Sequence, residues 1–305
     1  MEKDYSVIVA GGGIAGISAA IQLKKIGIDF LLIERNKLGG IINDIYSIEN
    51  YPGYFDPITG KNFTKNLEKQ IETLKIKPLF NSIEEIDYDD NKFIVKLDDM
   101  ELRSNYLVLA TGSKPILPIN YDNYSTDLKK NTHFELDSLK RDKTTILIGG
   151  GPKSYDYALS ISEYGEVIFL EVNSHELPYY YQLKRLSKKD EIKLITGTQI
   201  KDISYKDGKI EVSAFYEGRQ GVVKGDQLFV SKGREPDTST LSDRVFKKES
   251  RLVRDKKLYY AGDCYYGKFR FLTTSAGDGI TAAKQIYQDV IFNRIINTES
   301  IDKEF

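Results

Sequence analysis

The sequence holds one cysteine, Cys264, no tryptophan, and only two histidines and two methionines among its 305 residues. A single thiol excludes an intrachain disulfide and any cysteine-rich metal site. His133 and His175 are too few and too scattered for zinc-ligand spacing, and His175 sits in a polar stretch that suggests no role. No apolar run approaches the roughly 18 residues needed to span a bilayer. The N-terminus shows no basic region followed by an apolar stretch and a cleavage site. Lys and Arg number 44 against 45 Asp and Glu, a formal net charge of −1, so no basic field points to nucleic acid or an anionic membrane. Basic pairs such as Lys24–Lys25 and Lys188–Lys189 read as solvated helix faces. These absences predict a cytoplasmic protein without a structural metal, and the length predicts two domains.

What the chain does have is glycine, in two turns of one kind: Gly11-Gly12-Gly13-Ile14-Ala15-Gly16 and Gly149-Gly150-Gly151-Pro152-Lys153-Ser154. Each follows a β-branched run (5–10, 144–148) and opens a segment of helical apolar spacing. Such glycines permit a tight turn and close approach of a pyrophosphate, which the following helix N-terminus attracts. Two such units predict an α/β protein with two Rossmann-like, three-layer dinucleotide-binding domains, one for FAD and one for a nicotinamide dinucleotide. The alternative for either unit is a plain strand–helix–strand with no ligand.

In the first unit, a helix over 14–26 offers Ile17, Ala20, Ile21 and Leu23 to one face, and Gly27 ends it. The next strand, 30–33, finishes at Glu34, about 20 residues past the turn, where a carboxylate holds a ribose diol. A buried strand ends at Ala110-Thr111-Gly112, and another at Gly262-Asp263, whose carboxylate suits ribityl hydroxyls. A helix over 274–287 opens on Ser275, Ala276 and Gly277, small enough for its N–H groups to face a flavin ring.

In the second unit, a strand over 144–148 leads through the turn to a helix over 155–164 and a strand over 167–170 that ends at Glu171. Pro152 fits a first helical turn. Ser154 in place of the third glycine predicts slightly looser helix–strand packing. Pro115, Pro118 and Pro236 mark the edges of an inserted module, giving an FAD-binding domain of 1–114 and 238–305 and a nicotinamide-type domain of 115–237.

Glu34-Arg35, then Gly39-Gly40, then Ile48-Glu49-Asn50-Tyr51-Pro52-Gly53, keep the spacing of the G-G-Q…E-N-x-P-G segment of the low-molecular-weight thioredoxin reductases. Ala110-Thr111-Gly112, Gly233-Arg234-Glu235-Pro236-Asp237-Thr238, Gly262-Asp263 and the stretch 270–277 follow in that family's order. Nearly the whole chain therefore resembles these two-dinucleotide-domain flavoproteins. The resemblance implies a homodimer. It also implies FAD bound through Gly11, Gly13, Ile14, Ala15, Gly16, Glu34, Arg35, Gly39, Gly40, Ile41, Asn50, Ala110, Thr111, Gly112, Gly262, Asp263, Phe271, Leu272 and Thr273.

Three departures from the family shape the expected chemistry. Thr132-His133-Phe134-Glu135 stands where the redox-active C-x-x-C belongs, so no mixed disulfide with thioredoxin forms there. Where NADPH-using members carry an H-R-R-like cluster, this chain reads Glu171-Val172-Asn173. A carboxylate there repels a 2′-phosphate and accepts a free 2′-hydroxyl, predicting NADH over NADPH at Gly149, Gly151, Pro152, Lys153, Ser154 and Glu171. Thirdly, Ile41 and Phe271 replace glutamines near the flavin, and Tyr265, Tyr266 and Phe269 precede Arg270. Such a wall suits a flat acceptor such as a quinone, or is ordinary core and dimer packing.

His133 and Glu135 are the candidate proton-handling residues, although a polar surface loop accounts for the segment equally. Cys264 reads as a buried apolar filler or, across a dimer, as half of a disulfide. Tyr179, Tyr180 and Tyr181 either cover a nucleotide or make a domain contact. The leading expectation is an FAD-dependent oxidoreductase without a redox dithiol, passing electrons from NADH to a small molecule or redox protein such as a ferredoxin. The thioredoxin-reductase-like ferredoxin reductases share the missing C-x-x-C but continue past the last FAD helix, expected here to end near Asn293. The alternative is an FAD-binding protein without nicotinamide turnover, serving as a redox sensor or partner-binding module.

Overall fold

Val7, Ile8, Val9 and Ala10 are buried on both faces, as the central strand of a sheet covered on both sides must be. The computed structural model describes residues 3–301 except 119, 174–175 and 266–269, with residues 3 and 292–301 described by their backbone alone. Tyr266, Phe269 and His175 therefore lie outside the described residues.

The first unit runs β1 (Lys3–Ala10), α1 (Ile14–Ile26), β2 (Phe30–Glu34), α2 (Gly60–Thr73) and β3 (Leu79–Phe80). A meander follows of β4 (Ile83–Asp89), β5 (Lys92–Leu97) and β6 (Glu101–Leu109), and then β7 (Ser113–Pro115). The second unit contains α3 (Thr126–Lys130), β8 (Thr132–His133), β9 (Thr145–Gly149), α4 (Pro152–Ser162), β10 (Val167–Glu171), α5 (Tyr180–Leu186) and β11 (Ile192–Ile195). It continues through β12 (Gln199–Lys206), β13 (Lys209–Tyr216), β14 (Arg219–Gly225) and β15 (Gln227–Ser231) to β16 (Arg234–Pro236). The chain then returns with α6 (Asp243–Arg254), β17 (Leu258–Tyr260) and α7 (Leu272–Ile301).

The first sheet is ordered β3-β2-β1-β6-β5-β4. The far half of β6 also pairs with β17, in parallel, while its near half pairs antiparallel with β5. One long strand thus joins the parallel dinucleotide sheet to the meander. Helices α1 and α7 cover one face, with Ala15, Ala19 and Ala20 against Ala282, Ala283 and Ile286. Their approach is close, because a Cβ on Gly279 would lie 2.0 Å from the carbonyl oxygen of Ala15. The opposite face is filled by Ile86, Phe93, Val95, Val245 and Leu252 from the meander and α6. Each such fully buried side chain contributes about 1.5–3 kcal/mol.

The second sheet, β11-β10-β9-β15-β8, is parallel throughout. Helix α4 packs on one face through Tyr155, Tyr157, Ala158 and Ile161. The antiparallel sheet β12-β13-β14 closes the other through Ile210, Val212 and Val223. Both units are thus Rossmann-like and three-layered, with antiparallel strands in place of helices as the third layer. The second is inserted between strands of the first, and β7 and β16, at the two crossings, pair with each other antiparallel.

Three local expectations are corrected. Helix α4 starts at Pro152, three residues earlier than the apolar spacing indicates, because proline has no N–H to leave unsatisfied at a helix start. Ser154 does not loosen the packing. It is fully buried, and its Oγ binds Gly150 O at 3.0 Å and Ser231 Oγ at 2.9 Å. Helix α7 also runs beyond Asn293, since no Gly or Pro follows to stop it.

Candidate functional site

The first glycine turn is shaped by close backbone contacts. A Cβ on Gly16 would stand 1.8 Å from Gly11 O, and one on Gly11 would stand 2.3 Å from Ala110 O. Gly39 N–H closes the turn from the side, donating to Gly12 O at 2.8 Å. By contrast, a Cβ on Gly13 or Gly112 would meet nothing within 4 Å, and one on Gly40 only Gly13 Cα at 3.9 Å. The backbone at these three glycines is therefore unobstructed, beside the N-terminus of α1, whose Gly13 cap offers no side-chain acceptor to its free N–H groups.

Glu34, at the end of β2, accepts Gly12 N–H at Oε2 (2.7 Å) and Asn36 N–H at Oε1 (2.9 Å). These bonds hold its carboxylate against the glycine turn. Just after β17, Gly262 N–H donates to Asp278 Oδ2 at 3.1 Å, and Ser275 Oγ donates to Asp263 Oδ1 at 3.3 Å. Thr111 Oγ1 donates to Asp237 O at 2.5 Å. Ile14 packs in one cluster with Leu272, and Ala15 is buried beneath Gly262. Contacts thus link Gly11 with Gly16 and Ala110, Gly12 with Glu34 and Gly39, Gly13 with Gly40, and Ala15 with Gly262. Ile41 is half-buried in the 3-10 turn Gly40–Asp44. Arg35, Asn50, Phe271 and Thr273 are exposed.

The second turn is built differently. Glu171 occupies the place of Glu34, but no backbone N–H reaches its carboxylate among the described residues. Instead Tyr155 donates its phenolic O–H to Glu171 Oε1 at 2.5 Å. Burial, and then this bond, push the phenol's pKa well above its usual range. Gly151 again gives its helix no side-chain cap. Gln182, on α5, donates to Pro152 O at 2.8 Å, which ties the tyrosine-bearing segment to the turn; Tyr179, Tyr180 and Tyr181 themselves are exposed.

Between the two turns lies a charged seam that spacing along the sequence does not reveal. One face of α4 carries Lys153, Asp156, Tyr157 and Ser160, which recur at helical spacing. Ser160 Oγ donates to Asp44 O at 3.1 Å, and Asp156 Oδ2 accepts Tyr46 N–H at 3.2 Å. Ion pairs Lys37–Asp137 and Arg185–Glu49 flank this contact. Burial raises both Asp44 and Asp156 to about 6. Lys153 reaches solvent yet has protein on most sides. That crowding, and next Arg234, bring it down to about 8 against the pull of Asp263, Asp156 and Asp44. Lys153 of the second turn thus senses Asp263 of the first site. The hydroxyl of Tyr157 is buried there without a hydrogen-bond partner among the described residues.

The segment in place of the dithiol is not a surface loop at Thr132 and His133, which form the buried strand β8. Ser138 Oγ donates to Glu135 O at 2.7 Å, so it accepts from His133 Nδ1–H at 2.9 Å. This arrangement favours a proton on Nδ1, and Nε2 is buried without a hydrogen-bond partner among the described residues. Burial, then Lys140, lowers the imidazole pKa. Glu135 is exposed and its charge reaches Asp44, so the structure sends the two candidates in different directions. Cys264 is buried, donates from Sγ to Leu109 O at 3.0 Å, and is pushed up to about 11 by burial. Of the aromatic wall, Tyr265 stacks on Tyr260 at 5.6 Å.

The profile of the pyridine nucleotide-disulphide oxidoreductase family matches residues 5–279. The chain belongs to that family. A 34.2 kDa protein in the rubredoxin operon of Clostridium pasteurianum is 28% identical over 301 residues, covering 92% of this chain and 96% of the relative. The thioredoxin reductase of Mycoplasma genitalium is 26% identical over 309 residues, 94% of this chain and 95% of its own. Among solved structures, thioredoxin reductase from Lactococcus lactis superposes with a TM-score of 0.76 at 23% identity, covering 94% of this chain and 99% of that one. That likeness bears on the fold.

This thioredoxin reductase-like family uses FAD and a nicotinamide dinucleotide, and the first site fits FAD. The space beside Gly13 and Gly112 is open, the helix N-terminus has no side-chain cap, and Glu34 and Asp263 bring carboxylates to the end of β2 and to the turn just after β17. Among the described residues no His, Cys, Asp and Glu cluster to hold a metal, and no helix is long and apolar enough to cross a membrane.

Proposed function

We propose that this protein is an FAD-dependent oxidoreductase that takes electrons from NADH and delivers them to its acceptor without a protein dithiol. The observation that carries this reading is the state of Cys264. It is the only cysteine of the chain, it is buried, and its thiol is held protonated by an elevated pKa. A thiol in that condition neither attacks nor relays.

When bound, FAD supplies two-electron uptake from a nicotinamide and onward transfer in one- or two-electron steps. The chain's own residues bind and orient. Gly11, Gly13 and Gly16 with the α1 N-terminus take the pyrophosphate, Glu34 the adenosine ribose, and Asp263 the ribityl chain. Residues 115–237 form the nicotinamide unit, with Gly149, Gly151, Pro152 and Lys153 at the turn and Ser154 holding helix to strand. Glu171 accepts the free 2′-hydroxyl of NADH and repels the 2′-phosphate of NADPH. Of the two candidates in 132–135, Glu135 is exposed and His133 is buried. A redox protein as acceptor is supported by the relative encoded in a rubredoxin operon; a quinone or small oxidant at the flavin face is the other class.

The test is an anaerobic titration of the FAD-loaded protein with NADH and then NADPH, following oxidised-flavin absorbance. NADH should bleach the flavin and NADPH should do so far more slowly. Glu171→Ala should erase that difference, and unchanged selectivity would sink the carboxylate argument. A second reading, an FAD protein without nicotinamide turnover, draws support from Glu171 Oε1 being already bonded to Tyr155. Absence of bleaching by either nucleotide would favour it.

A further inference from the structure

Counted from the first glycine of each turn, Tyr155 stands where the first unit has Ile17. Ile17 is an apolar core residue, fully buried, and has nothing to offer a carboxylate. Glu34 is held instead by backbone N–H groups, from Gly12 and Asn36. In the second unit that backbone support is missing, and the phenol of Tyr155 is the one hydrogen-bond donor to the Glu171 carboxylate among the described residues.

The Tyr155 ring is itself immobilised. It is buried in the core beneath α4 and meets Phe169 edge-on, with centroids 5.1 Å apart. A fixed donor aimed at one oxygen, Oε1, sets the carboxylate's orientation and leaves Oε2 for an incoming hydroxyl. Without that donor Glu171, half-buried at the end of β10, would sample several rotamers, each meeting a ribose differently.

We propose that Tyr155 is the positioning residue for nicotinamide-dinucleotide selectivity: its phenol holds the Glu171 carboxylate in the one orientation that takes a ribose 2′-hydroxyl. This rests on the reading of Glu171 given above. The ligand class is a dinucleotide with an unphosphorylated adenosine ribose. Tyr155 acts through Glu171 and does not itself touch the nucleotide.

The experiment is equilibrium binding of NAD+ and NADP+ to the oxidised, FAD-loaded protein by calorimetry, which needs no turnover. Wild type should bind NAD+ more tightly than NADP+. Tyr155→Phe keeps the ring and its packing. It should weaken NAD+ about tenfold, the scale of one hydrogen bond to a charged group, and leave NADP+ little changed, so that the affinity ratio collapses. FAD content and melting temperature report whether the variant is folded.

Glu171→Ala supplies the second arm. In that background Tyr155→Phe should have no further effect on NAD+, because the two side chains act as one unit. Equal weakening in both backgrounds would show a structural role and overturn the proposal. So would unchanged or tighter NAD+ binding in Tyr155→Phe alone, the latter making Tyr155 an occluding group. If wild-type protein binds neither nucleotide, the underlying nicotinamide reading falls as well, a result distinct from each of these.

Discussion

Ser160 donates its hydroxyl to the carbonyl oxygen of Asp44 at 3.1 Å, joining the helix after the second glycine turn to the 3-10 turn beyond the first. Around this bond lie two carboxylates, Asp44 and Asp156, whose burial raises each to about 6 from 3.8. A raised carboxyl stabilises the fold fully below its unfolded value, and that contribution is lost as pH rises through about 6.

Asp156→Asn should therefore flatten the dependence of stability on pH between about 4 and 7. The amide oxygen can still accept Tyr46 N–H, while the buried charge is gone. Stability at pH 7.5 should rise by on the order of 1 kcal/mol. Urea midpoints across that range give the answer, and an unaltered slope would mean that Asp156 ionises freely in the seam.

Gly16→Ala tests the first turn. A methyl group at 1.8 Å from Gly11 O has no room, and that oxygen belongs to backbone fixed against Ala110. The variant should lose FAD on desalting and unfold at markedly lower temperature, with a cost of about 3 kcal/mol or more. Yellow protein of normal melting temperature would show that the turn yields.

His133 predicts the opposite pH response to the acids. Its pKa is lowered in the fold by burial, so its contribution is present above about 6.5 and is lost as pH falls below that value. His133→Gln should reduce the loss of stability as pH falls below about 6.5. It should leave NADH-driven flavin reduction within about twofold, since a buried neutral ring has no catalytic proton to give. A tenfold loss would return His133 to the reaction.

Cys264→Ser retains a donor for Leu109 O in a slightly smaller side chain. Turnover with NADH should be unchanged and stability lower by about 1 kcal/mol. Abolished turnover in folded, FAD-loaded protein would overturn electron transfer without a thiol.

Much of this was legible in the residues themselves. The turn Gly11–Gly16, the strand ending at Glu34 and the later Gly262-Asp263 follow from local rules, because glycine placement and β-branched runs fix backbone shape directly. The partners of Glu34 and Glu171 were not legible. One acid is held by main chain and the other by a phenol 16 residues earlier, which depends on how a helix sits on a strand. The seam was hidden for a related reason: Ser160 meets Asp44, and Asp156 meets Tyr46, only after both units have folded and docked. Ser154 shows the limit of substituting by type, since a serine where glycine is expected suggested looseness, and its hydroxyl instead found Ser231. The segment at Thr132 and His133 is polar in composition yet buried, as neighbouring β15 draws it into a sheet.

The two chain crossings carry a mechanical consequence. Arg234 pairs with Pro115 and Pro236 with Ser113; the Arg234 guanidinium donates to Ser113, and Arg270 donates to Arg234 O at 2.7 Å. The connection between units is therefore a laced two-stranded ribbon. Any swing of one unit against the other must carry both crossings together, or break the bonds that lace them.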